Sequence, residues 1–258
     1  MKNIEKSFQR LINIITKLRS ECPWDREQTM TSLRQLTLEE TYELTEAILR
    51  NDITGIKEEL GDLIMHTVFY AKIAEEENHF NLEDVLDGIQ DKLIRRHPHV
   101  FEHLKVKDSN AVKTNWEKIK LKEKKRENAS VLSGLPSSLP ALIKSQRLQA
   151  KAVAVGFDWE RKEDIWQKVQ EEIAELKTEM ENSNSERKSY EFGDVIFALV
   201  NAARLYDVDA EVALEKTNIE FIRRFRHIEK RAIEKGTTID KLPFNEMDKY
   251  WNEAKKKR

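Results

Sequence analysis

The stretch TLEETYELTEAILRNDITGIKEELGDL, residues 37–63, decides the fold. Leu38, Tyr42, Leu44, Ala47 and Ile48 recur at helical spacing up to Asn51-Asp52. From about Thr54, Leu60, Leu63, Ile64, Val68 and Ala71 resume the pattern towards Glu77. The reading is two helices joined by a short turn, the first opened by Thr37 with Glu40 as a capping box. Residues 169–195, VQEEIAELKTEMENSNSERKSYEFGDV, repeat the arrangement. Glu39-Glu40-x-x-Glu43 and Glu59-x-Gly61-Asp62 return as Glu171-Glu172-x-x-Glu175 and Glu191-x-Gly193-Asp194, with sixteen positions from Glu43 to Glu59 and from Glu175 to Glu191. Acids make up 47 of 258 residues, yet two copies at fixed spacing, each with Gly before its last Asp, are hard to reach by chance. Two related units are expected.

Outward from these hairpins the helical reading continues. Seven Gly and five Pro, set among abundant Glu, Lys, Leu, Ile and Ala, favour an all-α chain. Met1 to Ser20 carries Ile4, Phe8, Leu11, Ile12 and Ile15 as one face of an amphipathic helix, and Ser20 to Thr29 reads as a loop around Pro23. A helix from about Leu82 to Arg96 ends at His97-Pro98. Residues 105–127 are dominated by Lys and Glu and predict an exposed helix anchored by Trp116 and Ile119. Ser130 to Pro140 then breaks helical structure. The expected domains are therefore 1–129 and 130–258, two helical bundles joined by the charged helix and the Pro/Ser loop. In the second, a loop at Gly156-Phe157-Asp158-Trp159 precedes helices over about 162–181, 186–206 and 209–235. A polar turn spans Asn182 to Ser185, a turn lies at Gly236, and Trp251 precedes a solvated Lys255 to Arg258 tail.

Composition narrows the function classes. A net charge of −2, from 45 basic and 47 acidic residues, provides no global field for nucleic acid, and only the Lys-rich stretch near 118–126 argues for it. A single Cys22 fits a reducing compartment. The first helix is amphipathic rather than a secretory segment, and no apolar run nears the roughly 18 residues of a membrane span. A cytoplasmic protein is expected. No Gly-rich phosphate loop, nucleophile elbow or Cys/His zinc spacing is present, and His97 and His99 around Pro98 read as a helix end.

The carboxylates carry the chemistry. Positions i, i+3 and i+4 share a helix face, so Glu40 converges with Glu43, and Glu59 with Asp62. Crowded carboxylates raise one another's pKa unless a cation neutralises them. Mg²⁺ suits them, as a hard ion that takes oxygen ligands and keeps water and phosphate in its shell. Gly61 and Gly193 cost helix stability, about 1 kcal/mol each relative to Ala, and read as allowing close helix approach or room for a ligand.

Seven segments resemble a known family: Cys22-Pro23-Trp24-Asp25, Leu38 to Glu43, Glu59 to Leu63, Arg95 to Phe101, Ser138 to Leu142, Val155 to Trp159, and Arg223 to Arg226. Over nearly its full length the chain resembles the MazG-type nucleoside triphosphate pyrophosphohydrolases, of the all-α NTP pyrophosphatase superfamily. The resemblance implies a homodimer of helical bundles that hydrolyses nucleoside triphosphates to the monophosphate and pyrophosphate with Mg²⁺, for which Mn²⁺ can substitute. It implies Glu172, Glu175, Glu191 and Asp194 as metal ligands in the second domain, favoured as the main active site, with Glu40, Glu43, Glu59 and Asp62 as counterparts in the first. Glu171 or Glu172 would take a proton from the attacking water. Lys168, Arg187, Lys188, Lys216 and Arg224 are candidates for the phosphates, with Arg95 and Arg96 in the first domain and Lys120 between the two. Asn218 and Trp251 are candidates for base or sugar. Glu220 stands where the family pattern expects a nucleotide-contacting Lys, whereas the first unit has Lys92. Broad action on NTPs and dNTPs leads. A hydrolase narrow for dUTP, dCTP or an alarmone, and a non-enzymatic helical interaction module, are the alternatives.

Overall fold

A computed structural model of the chain describes residues 2–102, 106–108, 130–181 and 185–256, with 111–112, 115–116, 119–120 and 123 between them. Every regular element among the described residues is helical. The chain falls into two compact units, Met1–Asp108 and Ser109–Arg258.

In the first unit, α1 (Lys2–Glu21) turns through Cys22 into α2 (Pro23–Glu27). Pro23 opens α2 because a first-turn residue needs no N–H donor. The segment expected as a loop is thus mostly helical. The long hairpin follows as α3 (Met30–Arg50) and α4 (Ile53–Glu76). The expected cap at Thr37 is overturned, since α3 starts at Met30 and the reciprocal box is made by Thr29 and Ser32, at 3.1 and 2.9 Å. Thr37 lies inside the helix and donates back to the Leu33 carbonyl. Asn51 takes the left-handed conformation, φ 55°, to end α3, and Asp52 caps α4. Next come α5 (Leu82–Arg96), at the expected bounds, and α6 (Pro98–Phe101). Ile15, Leu33, Val68, Phe69 and Ile73 form the core, joining α1, α3 and α4. Leu38, Tyr42 and Ile48 from the expected apolar stripe remain 43%, 60% and 52% exposed.

Arg19 ties this unit together. Its side chain is 9% exposed, donates Nη1 to the carbonyls of Asp25 at 2.6 Å and Gln28 at 2.9 Å, and meets Glu76 at 2.5 Å. Arg19→Ala strands these acceptors and is expected to cost about 2–3 kcal/mol, read as a lower midpoint in urea unfolding.

The second unit contains α7 (Ala141–Val153), α8 (Ile165–Glu181), α9 (Ser185–Leu205), α10 (Ala210–Glu234) and α11 (Phe244–Lys256). Helix α7 follows the Pro/Ser stretch and was absent from the sequence reading. The turn expected at Asn182 falls outside the described residues, as do most of the charged helix over 105–127 and the last two residues of the tail. Gly156 permits φ +93° between α7 and α8, where a side chain would be strained. Two cores form. Ile165, Val169, Ala198 and Ala202 join α8 to α9, and Ile228, Ala232, Leu242 and Tyr250 join α10 to α11.

Candidate active site

Glu172 and Glu175 stand one turn apart on α8, facing Glu191 and Asp194 on α9. Carboxylate oxygens of Glu172, Glu175 and Glu191 lie within 4.8 Å of one another, a spacing one cation can span, and the donor set is the hard-oxygen type that Mg²⁺ prefers. Glu172 is only 8% exposed, and Glu191 keeps a buried oxygen without a hydrogen-bond partner. Burial, and then the charges of Glu175, Asp194 and Glu172, push the Glu191 carboxyl above the ordinary carboxylate range. Lys168 reaches across one turn to Glu172 at 2.8 Å and Glu171 at 2.9 Å, and the first of these bonds does most to raise its pKa.

Glu172, Asp194 and Lys168 also line a pocket of about 460 Å³ between α7, α8 and α9. Its other walls include Trp159, from the Gly156–Trp159 motif, and Gln149, Ala198 and Asn201, which the sequence reading did not single out. Asp158 grips Arg204 through both carboxylate oxygens, at 2.5 and 3.2 Å, and so pins the Gly156–Trp159 loop to α9. The available signal was the Gly156-Phe157-Asp158-Trp159 motif itself, whose partners lie a helix away in sequence.

The first unit repeats the carboxylates. Oxygens of Glu40, Glu43 and Glu59 again lie within 4.8 Å of one another, with Asp62 close enough to raise the carboxyls of Glu40 and Glu59. Burial is the largest cause of both shifts. Gly61 and Gly193 face open space, so close helix approach within either unit is not their role and room beside the carboxylates is what they leave.

The remaining candidates divide. Lys216, Arg224 and Trp251 come together in a separate recess of about 220 Å³, with the Arg224 guanidinium 5.3 Å over the Trp251 ring. Glu220 accepts from Arg223 at 3.0 Å and Arg224 at 3.3 Å, and its pKa is lowered chiefly by Arg223. The acid at the position expected to hold Lys thus restrains both arginines. Asn218 points to Glu215 at 3.1 Å, outside that recess. Arg187, in the first turn of α9, approaches Glu179 at 3.8 Å, and Lys188 beside it is half-buried. Lys120 lies 4.3 Å over the Trp116 ring, and Arg95 and Arg96 close α5 in the first unit.

The raised carboxyls set a pH dependence. Because folded values exceed unfolded ones, Glu40, Glu59 and Glu191 contribute stability that is fully present below the ordinary carboxylate pKa. That contribution is lost as pH rises through the raised values. The metal-free protein is expected to lose thermal stability over that window. Mg²⁺ should restore it, by about 5 °C above the window and by less below, as read by calorimetry at both pH values.

Residues 28–101 match the family model of the MazG nucleotide pyrophosphohydrolase domain. Over 255 residues the chain is 40% identical to the nucleoside triphosphate pyrophosphohydrolase of Escherichia coli (strain K12), covering 96% of this chain and 97% of that protein. It is 41% identical over 258 residues to the nucleoside triphosphate pyrophosphohydrolase/pyrophosphatase MazG of Thermotoga maritima, covering 99% and 98%. The uncharacterized protein YabN of Bacillus subtilis (strain 168) is 46% identical over 257 residues, 98% of this chain and 53% of YabN. With the family domain lying over the first carboxylate cluster and two relatives aligned along nearly their whole length, the chain belongs to the MazG nucleotide pyrophosphohydrolase family.

Proposed function

We propose that the chain hydrolyses nucleoside triphosphates, both NTPs and dNTPs, to the monophosphate and pyrophosphate in a Mg²⁺-dependent reaction carried by its second unit. The observation that carries this reading is the Glu172–Glu175–Glu191 cluster, with Asp194 and Lys168, at the edge of a pocket large enough for a nucleoside. Glu172, Glu175, Glu191 and Asp194 would hold Mg²⁺, or Mn²⁺ in its place. The bound ion supplies positive charge against the triphosphate oxygens.

This chain's residues supply the rest. Lys168 places an ammonium beside the carboxylates and offsets phosphate charge as it develops. Glu171 is half-exposed and tethered to Lys168, so it can accept the water's proton, and Glu172 is the second candidate. The bridging bond between the α and β phosphates opens as water's oxygen bonds to phosphorus, and pyrophosphate leaves. Lys216 and Arg224 are assigned to the outer phosphates, with Arg224 released from Glu220 to do so.

Large apolar side chains on α9 support a homodimer, since Tyr190, Ile196 and Leu199 are 67%, 47% and 45% exposed in the single chain. No helix among the described residues is long and apolar enough to cross a membrane, and with the single Cys22 this supports a cytoplasmic enzyme.

Product analysis tests the function. Ribo- and deoxyribonucleoside triphosphates incubated with Mg²⁺ are expected to give monophosphate and pyrophosphate in equal amounts, with none formed in EDTA. Diphosphate and orthophosphate as products, or no reaction with any nucleotide, would overturn the reading.

A further inference from the structure

Two amide side chains in the pocket have their polarity fixed by the protein. Gln149 is 6% exposed and donates Nε2 to the backbone carbonyl of Phe197 at 3.0 Å. A carbonyl only accepts, so the amide is not free to flip; Oε1 is left buried without a partner, on a residue that lines the pocket. Such an acceptor is costly unless a ligand or an ordered water satisfies it. Asn201 is locked in the opposite sense. Its Oδ1 accepts from Arg204 Nε at 3.1 Å and Nη2 at 2.8 Å, and Arg204 is itself held by Asp158. A guanidinium only donates, so Asn201 has its NH₂ group to offer a ligand. Phe157 and Trp159 add flat apolar faces to the same pocket, and Lys168 and Glu172 border it.

Resting on the pyrophosphohydrolase reading, we infer that this pocket is the nucleobase subsite, in which Gln149 and Asn201 recognise one N–H donor next to one acceptor on the base. Adenine provides the pair as its 6-amino group and N1, and cytosine as its 4-amino group and N3. Guanine provides N1–H with O6, and uracil or thymine N3–H with O4. The device therefore demands a base N–H without choosing one base, as the proposed action on several nucleotides requires.

The first unit lacks this device. In the register that sets Glu40 on Glu172 and Asp62 on Asp194, His66 and Phe69 stand at the positions of Ala198 and Asn201. Both are buried, at 3% and 4% exposure. Thr37 Oγ1 holds His66 Nδ1 at 3.0 Å and the Tyr70 hydroxyl at 2.7 Å, filling with side chain what the second unit leaves open.

Deamino nucleotides provide the test. Purine riboside triphosphate and 2-pyrimidinone riboside triphosphate keep ring and triphosphate but carry no base N–H. Wild-type kcat/KM is expected to fall at least about 10-fold from ATP and CTP to these analogues. Gln149→Leu should bring ATP and CTP down to the analogue level and change the analogues by no more than about twofold. Adenosine and purine riboside binding, followed by ligand-observed NMR, asks the same question without turnover. If Gln149→Leu does not fold, the wild-type comparison and Trp159→Ala, at a 37% exposed position, decide instead. Trp159→Ala should weaken adenosine binding. Triphosphates hydrolysed at rates indifferent to base N–H groups, with adenosine binding unchanged in either variant, would overturn the assignment and leave the enzyme reading standing. Adenosine binding that depends on Gln149, with no triphosphate hydrolysed, would do the reverse.

Discussion

Glu175→Ala is expected to lower pyrophosphate release by about 10³-fold or more, whereas Glu43→Ala leaves it within about twofold of wild type. Glu175 is an exposed member of its cluster, so its removal strands no buried partner. Its charge is, after burial, the leading cause of the raised Glu191 carboxyl, so the metal-free variant should be no less stable than wild type. Loss of activity at unchanged metal-free stability, together with a smaller Mg²⁺-induced rise in Tm, separates a metal ligand from a structural residue. Glu43→Ala removes the same kind of repulsion from the first cluster. There, however, buried His66 follows Asp62 by one helical turn, and Leu36 stands at the register position of Lys168. Activity lost in Glu43→Ala and kept in Glu175→Ala would move catalysis to the first unit.

Lys168→Met is expected to lower kcat/KM by about 10²–10³-fold, and by the same factor for every nucleotide. Methionine keeps most of the unbranched stem and removes the ammonium that contacts Glu171 and Glu172. The Lys168 side chain is 38% exposed, so folding should be little affected. A uniform factor follows because the charge addresses phosphate rather than base. Steady-state kinetics on four nucleotides reads it directly. A loss confined to one base would place Lys168 in base recognition instead.

Local geometry was legible in the sequence wherever it is short-range. The i, i+3 spacing of the carboxylates sets a common face on a helix, and both clusters form as that spacing requires. Residues 82–96 carried their own cap and their own stop and were read at the observed bounds. The start of α3 was misread because Pro23 made the preceding segment look like loop, while the cap lies in the less conspicuous Thr29–Ser32 pair. The pocket was not legible because its walls are contributed by α7, the Gly156–Trp159 loop and α9, brought together only by tertiary packing. One trace of it existed in the repeat, where Ala198 and Asn201 are smaller than His66 and Phe69. A difference between two aligned copies reports space only once the helices are known to pack.

Crystals grown with Mn²⁺ and a non-hydrolysable nucleoside triphosphate, measured at the manganese absorption edge, test the central claim most directly. The expected result is an anomalous peak bounded by Glu172, Glu175, Glu191 and Asp194, in contact with triphosphate oxygens. Manganese and nucleotide found only at Glu40, Glu43 and Glu59, or nucleotide bound with no peak beside Glu175, would contradict it.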